Sequence, residues 1–95
     1  MGLLEGRTAL ITGAGSGIGE AIAHAMAQAG AKVIAVDIDG ATAERTARAI
    51  GADAASFACD VIDRGRCDGL ASDVRSRIGA ISILVNNAGI IRRGR

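Results

Sequence analysis

Three residue types are missing from this sequence of 95 residues: proline, tryptophan and tyrosine. Phe57 is its only aromatic residue, so the core must be aliphatic, and 49% of the residues are hydrophobic. An excess of charge of one sign is also lacking, because the formal net charge is +1. This balance indicates neither a nucleic-acid-binding surface nor an acidic tail. A chain of this length forms one domain at most.

Cysteine is scarce as well, which bears on metal binding and on the cellular compartment. Cys59 and Cys67 do not form a C-x-x-C pair, so they predict thiols in a reducing compartment rather than a zinc site. The start of the sequence lacks the pattern of a signal peptide. No apolar run approaches the ~20 residues that a membrane helix needs. We therefore expect a cytoplasmic chain with no metal site and no membrane contact.

Short apolar runs alternate with amphipathic stretches along the chain. Runs of β-branched residues predict buried strands, and apolar residues at helical spacing predict helices between them. Because the strands are continuously apolar, the sheet is expected to be parallel and covered on both faces. The sequence thus predicts an α/β fold, a Rossmann-like doubly wound parallel sheet. The predicted strands cover 8–11, 32–36, 55–59 and 81–85, and the predicted helices cover 18–29, 41–50 and 63–78.

The glycine-rich stretch TGAGSGIG, residues 12–19, connects the first predicted strand to the first predicted helix. A helix N-terminus offers unpaired N–H groups and a partial positive charge, and glycines leave room for a diphosphate to approach. The spacing Gly13-x3-Gly17-x-Gly19 is not a strict G-x-G-x-x-G, and no Gly-Lys-Ser/Thr of a P-loop follows it. On this turn alone, a flexible connection between strand and helix is the alternative.

An acidic residue strengthens the nucleotide interpretation. Asp37 ends the second predicted strand, eighteen residues after Gly19, roughly where a carboxylate meets the adenosine ribose in dinucleotide-binding folds. A carboxylate accepts hydrogen bonds from a diol and repels a 2′-phosphate. The turn carries Ser16 and no arginine that would pair with such a phosphate. Both residues favour NAD over NADP, whereas the alternative for Asp37 is a solvated turn residue.

Four motifs at these separations together resemble the short-chain dehydrogenase/reductase (SDR) family. The resemblance covers essentially the whole chain and is specific, because each motif follows a different predicted strand. The motifs are Thr12-Gly13-x3-Gly17-x-Gly19, Asp37, Cys59-Asp60-Val61 and Asn86-Asn87-Ala88-Gly89.

The resemblance implies contacts with the cofactor at the end of every strand. The glycine turn would line the pyrophosphate, Asp60 and the Val61 backbone would meet the adenine, and the motif after the fourth strand would lie along the ribose. A helix cap or loop acid is the alternative for Asp60, and turn chemistry is the alternative for the asparagines. The implied cofactor-binding residues are Gly13, Ser16, Gly17, Ile18, Gly19, Asp37, Asp60, Val61, Asn86, Ala88 and Gly89.

The residues that the family uses for catalysis are missing. The resemblance implies hydride transfer between a nicotinamide and an alcohol or carbonyl, with a tyrosine as proton donor and a lysine four residues later. This sequence has no tyrosine, and its single lysine, Lys32, begins a strand at the end opposite the expected rim. We expect residues 1–95 to form a partial NAD(P)-binding domain, truncated after the fourth strand, without the catalytic half and inactive alone.

Two functions stay open at this point. The chain is either the N-terminal, nucleotide-binding part of an NAD-dependent oxidoreductase acting on a carbonyl/alcohol pair, or a stand-alone nucleotide- or partner-binding module. In the second case the apolar fourth strand, 81–85, would lie at the edge of the sheet and pair with a copy of itself or with a full-length relative.

Overall fold

The computed structural model describes residues 2–15, 17–51, 54–59 and 64–86. Within these residues, strands and helices alternate from the first strand to the last, as the sequence predicts. Every observed boundary lies within two residues of the predicted one. The strands are β1 (Thr8–Thr12), β2 (Lys32–Asp37), β3 (Ala54–Ala58) and β4 (Ile83–Asn86), and the helices are α1 (Gly17–Gln28), α2 (Gly40–Ile50) and α3 (Arg64–Arg77).

The four strands form one parallel sheet in the order β3-β2-β1-β4. The first three strands extend the sheet in one direction, and β4 then adds to the free side of β1. This reversal of strand order is the point at which open α/β sheets bind ligands, outside the carboxyl ends of the strands. The predicted Rossmann-like, doubly wound parallel sheet is confirmed. Lys32 lies at the amino end of β2, away from that ligand-binding rim.

Helices cover both faces of the sheet, which explains why the strands are continuously apolar in sequence. One face packs against α1 and α2, and the other packs against α3. Both cores consist mainly of aliphatic side chains, as the composition requires, and Cys59 and the partly buried Phe57 add to the second core. The buried residues of the first core are Ala9, Ile11, Ala14, Ala23, Ala31, Val33, Ala35 and Ala43, and those of the second are Leu10, Ile34, Val36, Cys59 and Val74.

Short polar and glycine signals set the helix ends. The Asp39 carboxylate accepts a hydrogen bond from the Ala41 N–H at 3.0 Å and caps the N-terminus of α2. Gly30, with φ +103°, follows α1 and lets the Ala31 N–H donate to the Met26 carbonyl at 3.1 Å. This pattern is a Schellman cap, which requires a left-handed residue at the position of Gly30. Asp39 and Gly30 therefore fix the start of α2 and the end of α1.

Three large apolar side chains stay exposed at the carboxyl end or the edge of the sheet. Ile18 of α1 is 63% exposed although Ile22 and Met26, at the same helical spacing, pack against the core. Ile38, directly after β2, is 70% exposed, so both isoleucines lie at the carboxyl end of the sheet. Leu84 is 67% exposed on β4, the edge strand. Within the described residues, none of the helices combines the length and apolarity that crossing a bilayer demands.

Candidate dinucleotide site

The glycine turn lies between β1 and α1 at the carboxyl ends of the strands. It is tied to β2, because the Ala14 N–H donates to the Val36 carbonyl at 3.0 Å. Gly13 and Gly17 have φ +67° and +62°, left-handed backbone that favours glycine. A Cβ added at Gly17 would meet nothing within 4 Å. Open space therefore adjoins the start of α1, where the first N–H groups have no intrahelical partner.

The Asp37 carboxylate is turned towards this glycine turn. Its Oδ2 accepts a hydrogen bond from the Gly15 N–H at 2.9 Å, and its Oδ1 accepts one from the Asp39 N–H at 3.1 Å. An ionised carboxylate has about four lone-pair sites, so each oxygen keeps capacity for one more donor. The half-buried acid is thus fixed in orientation while its remaining lone pairs are available at the rim.

Two side chains of helix α2 also hold the glycine turn. Arg45 Nη2 donates to the Gly15 carbonyl at 2.9 Å, and the hydroxyl of the fully buried Thr46 donates to the Ala14 carbonyl at 2.9 Å. Sequence reasoning did not identify Arg45 or Thr46. Their contacts join residues 30 and 32 positions apart, and no local spacing signals a contact of that range.

Gly15 is enclosed where these groups meet. A Cβ at this position would overlap the Thr42 Oγ1, and it would lie 2.7 Å from the Thr42 Cβ and 2.8 Å from the Asp37 Oδ2. The φ of Gly15 does not lie in the left-handed range. Close packing against α2, rather than backbone conformation, therefore requires glycine here.

Besides the exposed Ile18, the structure describes two of the other sequence-predicted site residues, Gly19 and Asn86, and the rest lie outside the described ranges. Gly19 is buried in α1, and Asn86 ends β4, paired in the ladder with Thr12. The Thr12 hydroxyl also donates to the Val85 carbonyl at 3.3 Å, which ties the ends of β1 and β4 together. The cofactor roles given to these residues by resemblance stay predictions. Ser16, Asp60, Val61, Ala88 and Gly89 lie outside the described residues.

Thr46→Val tests how firmly α2 holds the turn. Valine keeps the shape of the side chain but leaves the Ala14 carbonyl without the donor that reaches it in this buried position. We expect the free energy of unfolding, measured by urea denaturation, to fall by about 1–2 kcal/mol. Thr42→Ala is the control, because the Thr42 hydroxyl donates to the Asp39 carbonyl at an exposed site and alanine adds no bulk against Gly15, so the loss should be about 0.5 kcal/mol or less. Equal losses for the two variants would contradict this role of Thr46.

The sequence of the chain matches a family model over nearly its whole length. Residues 7–95 match the model of the short chain dehydrogenase family. The chain belongs to this family. The resemblance drawn from the four sequence motifs is thereby confirmed, and the Rossmann-like sheet of the chain agrees with it.

Similar proteins in the family are oxidoreductases considerably longer than this chain. D-threitol dehydrogenase of Mycolicibacterium smegmatis is 47% identical over 92 residues, which cover 94% of this chain and 35% of that enzyme. Galactitol 2-dehydrogenase of Agrobacterium fabrum is 48% identical over 87 residues, which cover 92% of this chain and 34% of that enzyme. The chain thus spans about a third of the length of the curated relatives it matches.

Solved structures of the family superpose on the chain. The 3-ketoacyl-(acyl-carrier-protein) reductase from Brucella melitensis, complexed with NADH, gives a TM-score of 0.82 at 47% identity, over 85% of this chain and 33% of that one. The hydroxysteroid dehydrogenase from Escherichia coli gives a TM-score of 0.81 at 38% identity, over 85% of this chain and 35% of that one. The chain therefore corresponds in fold to part of these oxidoreductases.

Proposed function

We propose that residues 1–95 bind the adenosine diphosphate half of NAD within an NAD-dependent oxidoreductase. The observation that carries this proposal is the placement of the Asp37 carboxylate, which the Gly15 N–H holds against the glycine turn at 2.9 Å. The carboxylate that we propose as the ribose acceptor and the open start of α1 thereby lie at one rim of the sheet. The family as a whole binds NAD(P).

The residues present fit an adenosine diphosphate. The open space at Gly17 would receive the pyrophosphate, which the N–H groups and the positive end of the α1 dipole would stabilise. The remaining lone pairs of Asp37 would accept hydrogen bonds from the ribose hydroxyls. The exposed side chains of Ile18 and Ile38 would supply apolar contact at the same rim, as apolar residues commonly do in small-molecule sites.

The charge of Asp37 supports the choice of NAD over NADP. A 2′-phosphate would stand beside the carboxylate, and two like charges about 4 Å apart repel each other by roughly 4 kcal/mol at a protein surface. Part of that energy is screened by salt and solvent, but the sign of the effect favours the free 2′-hydroxyl of NAD.

When bound, NAD would supply hydride transfer through its nicotinamide ring. The residues of this chain would bind the adenosine end and orient the cofactor. We propose that the protein carrying this chain oxidises or reduces an alcohol/carbonyl pair. The 95 residues alone would bind without turnover, because the sequence has no tyrosine and Lys32 lies at the amino end of β2.

Titration calorimetry with NAD, NADP and ADP-ribose tests the proposal. We expect NAD to bind at least about tenfold more tightly than NADP, because the 2′-phosphate meets the Asp37 carboxylate. ADP-ribose, which lacks only the nicotinamide ring and keeps the proposed contacts, should retain most of the affinity of NAD. Equal affinity for NAD and NADP, or no binding of ADP-ribose, would overturn the proposal.

A further inference from the structure

Gly15 is held by one side chain at each of its two backbone polar groups. Its N–H donates to Asp37 Oδ2 at 2.9 Å, and its carbonyl accepts from Arg45 Nη2 at 2.9 Å. The acid and the guanidinium therefore bond to the two peptide groups of the same residue. We propose that Arg45 is a positioning residue: by fixing Gly15, it orients the Asp37 carboxylate towards the adenosine ribose. This inference rests on the proposed function.

The turn needs such a tether because its backbone is irregular and rich in glycine. Left-handed glycines stand on both sides of Gly15, at positions 13 and 17, and glycine backbone has more rotational freedom than that of other residues. Thr46 fixes the peptide group that carries both the Ala14 carbonyl and the Gly15 N–H. Among the described contacts, Arg45 is the side chain that bonds to the next carbonyl along the turn. Its bond restricts rotation of the Gly15 backbone.

Loss of the Arg45 bond would affect cofactor binding through the orientation of the Asp37 carboxylate. If loss of the Arg45 bond lets Gly15 shift relative to Asp37, Oδ2 loses its 2.9 Å donor and the carboxylate keeps only the Asp39 N–H of its two described donors, at 3.1 Å on Oδ1. A carboxylate held at one oxygen rotates more freely and meets the two ribose hydroxyls less well. Binding groups that are held in their productive geometry give more affinity than the same groups when mobile. Arg45 would therefore affect the recognition of ribose hydroxyls without touching the nucleotide.

Helix α2 offers a matched control for this arginine. Arg48 lies three residues further along the same helix, and its Nη2 pairs with Glu44 Oε2 at 2.8 Å. The Arg48 side chain is 78% exposed, and such surface pairs contribute little to stability. Arg45→Met and Arg48→Met thus remove the same charge from the same helix, but only the first removes a bond to the glycine turn.

The experiment compares ADP with 2′-deoxy-ADP, measured by calorimetry on the protein that carries this chain. For the unmodified protein we expect ADP to bind about tenfold more tightly, because a hydrogen bond from the 2′-hydroxyl to a carboxylate is lost in the deoxy compound. Arg45→Met should reduce this ratio to about threefold or less, with less than about a twofold change in the affinity for 2′-deoxy-ADP. Arg48→Met should leave the ratio unchanged.

The variants also separate positioning from general loss of structure. A structural defect would weaken both nucleotides equally, and that outcome, or an unchanged ratio in Arg45→Met, overturns the inference. Arg45→Lys keeps one donor and should keep the ratio within about twofold of the unmodified protein. If thermal melting shows that Arg45→Met is unfolded at the assay temperature, Arg45→Lys decides the question. Loss of the preference for ADP over 2′-deoxy-ADP in a folded Arg45→Lys protein would overturn the inference. An unmodified protein that does not distinguish the two nucleotides would instead refute the proposed function and the inference with it.

Discussion

Gly15→Val is expected to lower the free energy of unfolding by about 3 kcal/mol and to abolish dinucleotide binding. A Cβ at Gly15 would overlap the Thr42 Oγ1 and lie 2.8 Å from Asp37 Oδ2. Valine adds two methyl groups beyond that Cβ. To make room, the turn must move away from α2, and this movement breaks the bonds that Arg45 and Asp37 make to Gly15. Urea denaturation measures the first effect, and NAD titration measures the second.

Gly69→Ala is the control for this substitution. Gly69 lies exposed in α3, and a Cβ there would meet nothing within 4 Å. Alanine should stabilise the helix by about 0.5–1 kcal/mol, because glycine has the poorer helix propensity, and it should leave the affinity for NAD unchanged. A Gly15→Val protein that binds NAD normally, or that loses less than about 1 kcal/mol, would show that the turn tolerates a side chain against α2.

Asp37→Asn is expected to weaken NAD binding about 10–100-fold and to remove the preference for NAD over NADP. The amide has nearly the same shape as the carboxylate but carries no charge. Asp37 accepts hydrogen bonds from the N–H groups of Gly15 and Asp39. In either orientation of the asparagine amide, its NH₂ group would face one of these two donors. The side chain therefore loses both a charge-assisted acceptor for ribose and its fixed orientation, while the repulsion of a 2′-phosphate disappears.

Asp39→Asn provides the comparison for Asp37→Asn. Asp39 lies two residues further on, and its carboxylate caps α2 by accepting from the Ala41 N–H. Asparagine is about as good an N-cap as aspartate, so stability should hardly change. Titration with NAD and NADP should give dissociation constants within about twofold of those of the unmodified protein. If the two variants behave alike, net charge at this rim, and not the carboxylate of Asp37, governs the selectivity.

Most of the fold could be predicted because burial on both faces of the sheet leaves a strong record in the sequence. The run 32–36 consists of apolar residues after Lys32, and all of these are fully buried in β2. The start of β4 was less predictable. The apolar Ile81 predicts strand, and it does pack against the second core, but the ladder with β1 begins only at Ile83. An apolar run records burial, whereas strand bounds depend on backbone pairing.

The candidate site was predictable only where its residues follow one another along the chain. The glycine turn and Asp37 come directly after predicted strands, so their common rim follows from parallel strand order. Arg45 and Thr46 carry no such signal. An arginine on the polar side of a helix is typical of a solvated surface, and a threonine within a helix is ordinary. Their contacts depend on how α2 packs against the turn, which local sequence does not specify.

The hydrogen bonds that shape the turn also constrain how the site forms during folding. They span 22, 30 and 32 residues, so the chain must close long loops before residues 14 and 15 acquire their final backbone conformation. The proposed nucleotide-binding turn is contiguous in sequence, but its geometry depends on contacts with the second β-α unit, 32–50. Undocking of α2 would consequently disable the site while β1 and α1 remain intact, which makes nucleotide affinity a sensitive reporter of tertiary order.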